Sequence, residues 1–93
     1  MAMANKIRCA HILVGKMSLA DELHDRIIKG ESFAKLAEQY SIDGTRKRGG
    51  DLGFFGHGEM VREFEQAAFA LEVGQVSPVI RTQFGYHIIK RLA

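Results

Sequence analysis

Two histidines stand at opposite ends of this chain, each inside a stretch that favours burial. His11 is in the middle of Lys6-Ile-Arg-Cys-Ala-His-Ile-Leu-Val14, and His87 enters Tyr86-His-Ile-Ile-Lys-Arg-Leu92. Both stretches are rich in β-branched, aromatic and apolar residues and read as strands. They are the two long hydrophobic strands of the chain, so they are expected side by side at the centre of a sheet. If His11 and His87 are cross-strand neighbours, their Cβ atoms lie roughly 4.5–5.5 Å apart. Rings at that separation can share an N–H···N bond, one donating and the other accepting. Burial and mutual repulsion both oppose a positive charge there, so at least one imidazole is expected neutral at pH 7. The alternative is that each is simply a satisfied core histidine.

Other chemistry is weaker. His11, His87 and Asp43 could form a three-ligand metal set, but no short H-x-x-x-H or C-x-x-C spacing supports one. Cys9 is two residues from His11 on a face expected to be buried, where thiols are usually inert. The glycine-rich stretch from Gly49 to Gly58 lacks the Gly-Lys-Ser/Thr ending of a phosphate loop. Met60 and Phe64, one helical turn apart, and Leu52 read either as core packing or as the wall of an apolar pocket.

The elements that must position these residues follow from periodicity. In the first strand Ile7, Cys9, His11 and Leu13 share one face, and Ala10, Ile12 and Val14 the other. Both faces are apolar, which predicts a central strand covered on two sides. Ser18, with Asp21 three residues on, reads as the start of a helix whose inward residues are Leu19, Leu23, Ile27 and Ile28, ended by Gly30. His24 falls on its polar side. Ser32 caps a second helix with an inward stripe of Phe33, Leu36, Ala37 and Tyr40. Residues 41–50 read as a loop with a basic cluster, Arg46-Lys-Arg48. Asp51-Leu-Gly-Phe-Phe55 is a short strand. Residues 61 to 71 read as a third helix facing inward through Phe64, Ala67, Ala68 and Leu71. Val76 to Arg81 reads as a strand that Pro78 confines to an edge. Gly85 supplies the turn before the last strand. The order is β-α-α-β-α-β-β, an α+β domain with a small, mostly antiparallel sheet.

Composition bounds the rest. Ninety-three residues, 46% hydrophobic and 26% charged with one proline, suit one globular domain spanning 1–93, its core about 6–92. No apolar run approaches the length that crosses a bilayer, and no signal peptide precedes the first strand. Met1-Ala-Met-Ala4 is too short to target anything. A single cysteine excludes an internal disulfide and suits a reducing, cytoplasmic setting. A net charge of +2 is too small to argue for nucleic acid.

Taken together, Ala10-His-Ile-Leu-Val14, Ser41-Ile-Asp43, Arg48-Gly-Gly-Asp-Leu-Gly53, Gly58-Glu-Met60, Phe64 and Thr82-Gln-Phe-Gly-Tyr-His-Ile-Ile89 resemble the parvulin peptidyl-prolyl isomerases. The match runs in order from about Ile7 to Leu92. The resemblance implies a four-stranded antiparallel sheet surrounded by helices, of the FKBP-like superfold, and cis/trans isomerisation of X–Pro bonds with no cofactor and no metal. It makes His11 and His87 the paired active-site histidines and Thr82 the threonine joining their network. Asp43 falls where many parvulins carry a cysteine and others an aspartate. Leu52, Met60 and Phe64 match the proline pocket, Phe84 its rim, and Val61 a position that varies among relatives.

A carboxylate at position 43 offers no thiolate, so the expected catalysis is noncovalent. Val14-Gly-Lys-Met-Ser18 is short and carries one lysine where phosphorylation-directed parvulins have a long basic loop, so little selectivity for phosphoserine–proline is expected. Side chains before proline should be tolerated broadly, with some preference for apolar ones beside Met60 and Phe84. The expected partners are proline-containing polypeptides, with weak electrostatic contact of Lys6, Lys29, Lys35, Arg46, Lys47 and Arg48 with anionic surfaces, including peripheral membrane association. The protein is expected to be a monomer. A chaperone-like module that holds proline segments without rapid turnover is the competing function.

Overall fold

The computed structural model describes residues 5–93; the opening Met1-Ala-Met-Ala4, expected to target nothing, lies outside the described residues. Four strands, β1 (Lys6–Val14), β2 (Asp51–Gly56), β3 (Ile80–Thr82) and β4 (Gly85–Arg91), form one antiparallel sheet in the order β2-β1-β4-β3. Three helices, α1 (Met17–Ile28), α2 (Phe33–Tyr40) and α3 (Arg62–Phe69), cover its faces. The β-α-α-β-α-β-β order and the central pairing of first and last strands agree with the sequence reading.

Strand alternation divides the core in two. Ala10, Ile12 and Val14 of β1 and Ile88 of β4 pack under Ala20 and Leu23 of α1 and Phe33, Leu36 and Ala37 of α2. Ile7 and Cys9 of β1 and Ile89 of β4 point the other way, onto Phe55, Phe64, Ala68 and Leu71. β1 is buried on both sides because both its residue sets are apolar. His11 and His87 belong to the α3 side.

Several boundaries differ from the sequence reading, each for a physical reason. Lys16, with extended backbone, occupies the N-cap position of α1 and no side chain caps it; Ser18 already lies within the first turn, so the Ser18–Asp21 pair is not a capping box. Ile28, expected inward, is exposed at the end of the helix. Ser32 does cap α2, accepting from the Lys35 N–H at 3.2 Å. The basic cluster is not an open loop but a 3-10 turn over Gly44–Arg48, started by Asp43. Helix α3 is shorter than expected, with Val61 at its N-cap and Leu71 packed just beyond its end. The edge strand begins only at Ile80, not at Val76. Val76 makes an isolated bridge to Lys90, and Ser77 Oγ takes the Ile89 N–H at 3.0 Å. Pro78 then has no N–H to extend a ladder.

Candidate active site

Register places the two histidines. Leu13 is opposite His87, and His11 is opposite Ile89. The histidines are therefore diagonal neighbours rather than the directly opposed pair expected. A diagonal offset on one face is still within reach of aromatic side chains. The Nδ1 atoms approach to 3.1 Å, with ring centroids 5.3 Å apart and planes within 22° of parallel. Both side chains are buried. Phe64, from the first turn of α3, stands edge-on to both rings at 5.6 and 5.3 Å.

The network extends at both ends. Thr82 Oγ1 is 2.7 Å from His87 Nε2 and accepts the Phe84 N–H at 3.1 Å. Its hydroxyl proton is thus free to be donated to His87. At the other end His11 Nε2 is 3.2 Å from Asp43 Oδ2, but the two are not aligned for a hydrogen bond, and this buried nitrogen has no bonded partner among the described residues. A carboxylate favours a proton on the nitrogen facing it. One direction satisfies every pair: Thr82 O–H to His87 Nε2, His87 Nδ1–H to His11 Nδ1, and His11 Nε2–H toward Asp43. The reverse direction would set a bare nitrogen lone pair against the Asp43 carboxylate.

The charges follow. Burial pushes His87 down to about 4, helped by His11 alongside and opposed by Asp43. Burial also lowers His11, against the pull of the Asp43 carboxylate. Asp43 is partly buried, which would raise it, yet the two hydrogen bonds it accepts from Thr45, together with the electrostatic pull of the nearby His11, hold it at about 2. At neutral pH the site is therefore two neutral imidazoles beside one carboxylate. Asp43 is fixed as the cap of the 3-10 turn, accepting from the Thr45 N–H at 2.9 Å and from the Thr45 hydroxyl.

Above the histidines opens a cleft of about 330 Å³. Leu52, Met60, Val61 and Phe64 make an apolar wall, and Phe84, mostly exposed, stands at the rim. Every residue expected at the site except Thr82 lines this cleft, and Thr82 reaches it through His87. Leu13 and Glu59 also line it and were not anticipated. Leu13 could have been read from its place two residues after His11 on the same strand face. Glu59 falls in the Gly58-Glu-Met60 motif of the resemblance but was given no role there. The turn that carries Glu59 and Met60 is pinned by Glu65, which accepts the Gly58 N–H at 2.6 Å and faces His57 Nδ1 at 3.1 Å. Thr45, which holds Asp43, was not anticipated, because residues 41–50 read as a loop.

Other candidates separate from the cleft. Cys9 is buried, and burial raises its thiol to about 11. The described residues contain no cluster of three metal-ligating side chains. The basic residues are dispersed over β1, the end of α1, α2 and the 3-10 turn, and Lys29 is paired with Asp25 at 2.9 Å. Arg48 borders a smaller hollow of about 150 Å³ with Ala10 and Phe33, residues of the opposite core layer.

Comparison with known proteins agrees with this geometry. The family model described as Rotamase, PPIC-type PPIase domain, matches residues 16–93. The foldase protein PrsA of Geobacillus sp. (strain WCH70) is 58% identical over 86 residues, covering 91% of this chain and 31% of that protein. The crystal structure of PrsA from Bacillus subtilis superposes with a TM-score of 0.92 at 47% identity, covering 96% of this chain and 35% of the other. This chain thus spans about a third of the length of the PrsA relatives it matches. The solution structure of the parvulin of Nitrosopumilus maritimus superposes with a TM-score of 0.88 at 52% identity, covering 99% of this chain and all (100%) of that one. With its neutral histidine pair set beneath an apolar cleft, the chain belongs to the PPIC-type, or parvulin, family of peptidyl-prolyl cis/trans isomerases.

Proposed function

We propose that the chain isomerises X–Pro bonds in unfolded or exposed polypeptide segments without a covalent intermediate, with His11, Asp43, Thr82 and His87 as its catalytic network. The observation that carries this is the apolar cleft lying directly against a buried, neutral imidazole pair. Uncatalysed rotation about the peptide bond faces about 18–20 kcal/mol because the planar amide has partial double-bond character. The twisted transition state loses that resonance, and with it negative charge on the carbonyl oxygen. A proline ring among Leu52, Met60, Val61 and Phe64 leaves water behind, which penalises the planar, more polar amide more than the twisted one. The ionised Asp43 at the same cleft repels the ground-state carbonyl oxygen more than the transition-state one. Each 1.4 kcal/mol or so of such discrimination is about tenfold in rate.

The only thiol of the chain, Cys9, is protonated and does not line the cleft. A nucleophilic route therefore has no cysteine to use. Nor does the cleft offer a lysine or arginine to a phosphate. Only Gly15 and Lys16 join β1 to α1, so phosphoserine before proline gains nothing. The test is exchange NMR on an Ala-Pro peptide and its phosphoserine-Pro counterpart with substoichiometric protein. Exchange should accelerate for Ala-Pro, should be no faster for phosphoserine-Pro, and should fall at least about tenfold in His87→Ala, one hydrogen-bonded group lost from the transition state. Binding of Ala-Pro with no acceleration would leave only a holding module.

A further inference from the structure

The residues lining the cleft include two with a formal charge at neutral pH, and both are carboxylates: Asp43, from the segment after α2, and Glu59, from the turn between β2 and α3. Glu59 is exposed, but its position is fixed, because Oε2 accepts the Gly56 N–H at 2.8 Å. No cation among the described residues is within ion-pair distance of it. Among the described residues, His11 is the one basic side chain within ion-pair distance of Asp43. His11 Nε2, in a side chain 6% exposed, is turned toward that carboxylate without forming an aligned hydrogen bond. A neutral ring so placed leaves the charge of Asp43 uncancelled at the cleft. The same cleft is lined by the apolar side chains of Met60 and the largely exposed Phe84. An aliphatic stem ending in a positive head matches this combination, since lysine and arginine lay their methylenes on apolar surface and keep the charge outside.

We propose that the cleft selects prolines preceded by a lysine or arginine, and that Glu59 is a specificity-determining residue that attracts the cationic side chain and repels an acidic one. This rests on the isomerase reading above and narrows its substrate class. The preference for apolar neighbours expected from sequence then applies to the stem of the side chain, not to its tip.

The experiment uses peptides identical except for Lys, Ala or Glu before the proline. Exchange NMR gives kcat/KM, and shift titration gives affinity, for the full chain and for Glu59→Gln. Glutamine can still accept from the Gly56 N–H, so the turn is kept. Exposed ion pairs contribute about threefold each, so Lys-Pro should exceed Glu-Pro by about tenfold in kcat/KM and in affinity. In Glu59→Gln the Lys-to-Glu ratio should fall about threefold, and in 1 M salt, where screening acts over about 3 Å, it should approach one. A ratio within twofold of one in the wild type, or unchanged in Glu59→Gln, overturns the proposal while leaving Ala-Pro turnover intact. Absence of turnover with every peptide overturns the isomerase reading instead, and the affinity ratio still decides this one.

Discussion

Thr82 has one hydroxyl proton, and where it goes sets the protonation of both histidines. Its oxygen accepts the Phe84 N–H, and donating its proton to His87 Nε2 gives Nδ1–H on His87 and Nε2–H on His11, the direction that turns an N–H rather than a lone pair toward Asp43. Thr82→Val keeps the side-chain shape and removes the donor. It should cost about 1–3 kcal/mol, the usual penalty for a buried polar atom left unpaired. Denaturant unfolding reads that loss, and the imidazole 15N spectrum should show His87 leaving its single Nδ1–H tautomer. A wild-type spectrum with the His87 proton on Nε2 would refute the assignment. At this scale the sequence was informative where a residue type is rare for its setting. A histidine in an apolar strand stands out, whereas Asp43 entered only as an unsupported third metal ligand and through the family resemblance. Glu59 did not stand out, because a surface glutamate in a turn resembles any other until the cleft is seen around it.

Among the elements, the histidine pair depends on a close approach that only glycine permits. The His11 N–H donates to the Gly50 carbonyl at 2.9 Å, and Gly50 has a φ of +84°. A Cβ on Gly50 would lie 2.2 Å from the His11 carbonyl oxygen, a backbone atom that cannot step aside. Gly50→Ala should therefore destabilise the fold by about 2 kcal/mol or more and shift His11 relative to His87. Thermal or denaturant melts, with the His11–His87 ring resonances as reporter, check this; a change under about 0.5 kcal/mol, the range of ordinary surface substitutions, would contradict it. Strands β1 and β4 and helix α2 were legible because each carries a strong period, and α2 a serine cap as well. The 3-10 turn was not, since five residues hold too little periodicity to separate a turn from a loop. The start of β3 was also hidden. Ser77 bonds to Ile89 through its side chain, and nothing in the local pattern shows that the ladder waits until Ile80. The diagonal placement of the histidines had the same cause: pairing register belongs to two strands at once and is not written in either.

For the molecule as a whole, the sheet separates two tasks. One face is a closed apolar layer under α1 and α2, and the other gives part of its area to the cleft. That division was visible in β1, whose two faces are both apolar but only one of which carries a histidine. Placing neutral imidazoles in the cleft-side layer has a cost in acid. His87 has a folded value near 4 against an unfolded value near 6.5, so the unfolded chain binds more protons between those values. Stability is then full above about pH 6.5 and falls as the pH drops toward 4, by up to about 3 kcal/mol. Asp43, held at about 2, loses its contribution only at lower pH and leaves that window to the histidines. Denaturant midpoints at pH 7, 5.5 and 4.5 should decline in that order, with His87→Ala flattening the trend; equal midpoints would contradict the burial argument.

The most direct test of the account is the pH dependence of Ala-Pro exchange catalysed by the folded wild-type chain. If the working form is the neutral imidazole pair, the rate should hold level from pH 8 through the ordinary histidine value of about 6.5 and decline only below it, because burial lowers both His11 and His87. A decline centred at the ordinary histidine value of about 6.5, or a rate that rises as the imidazoles take up protons, would contradict it.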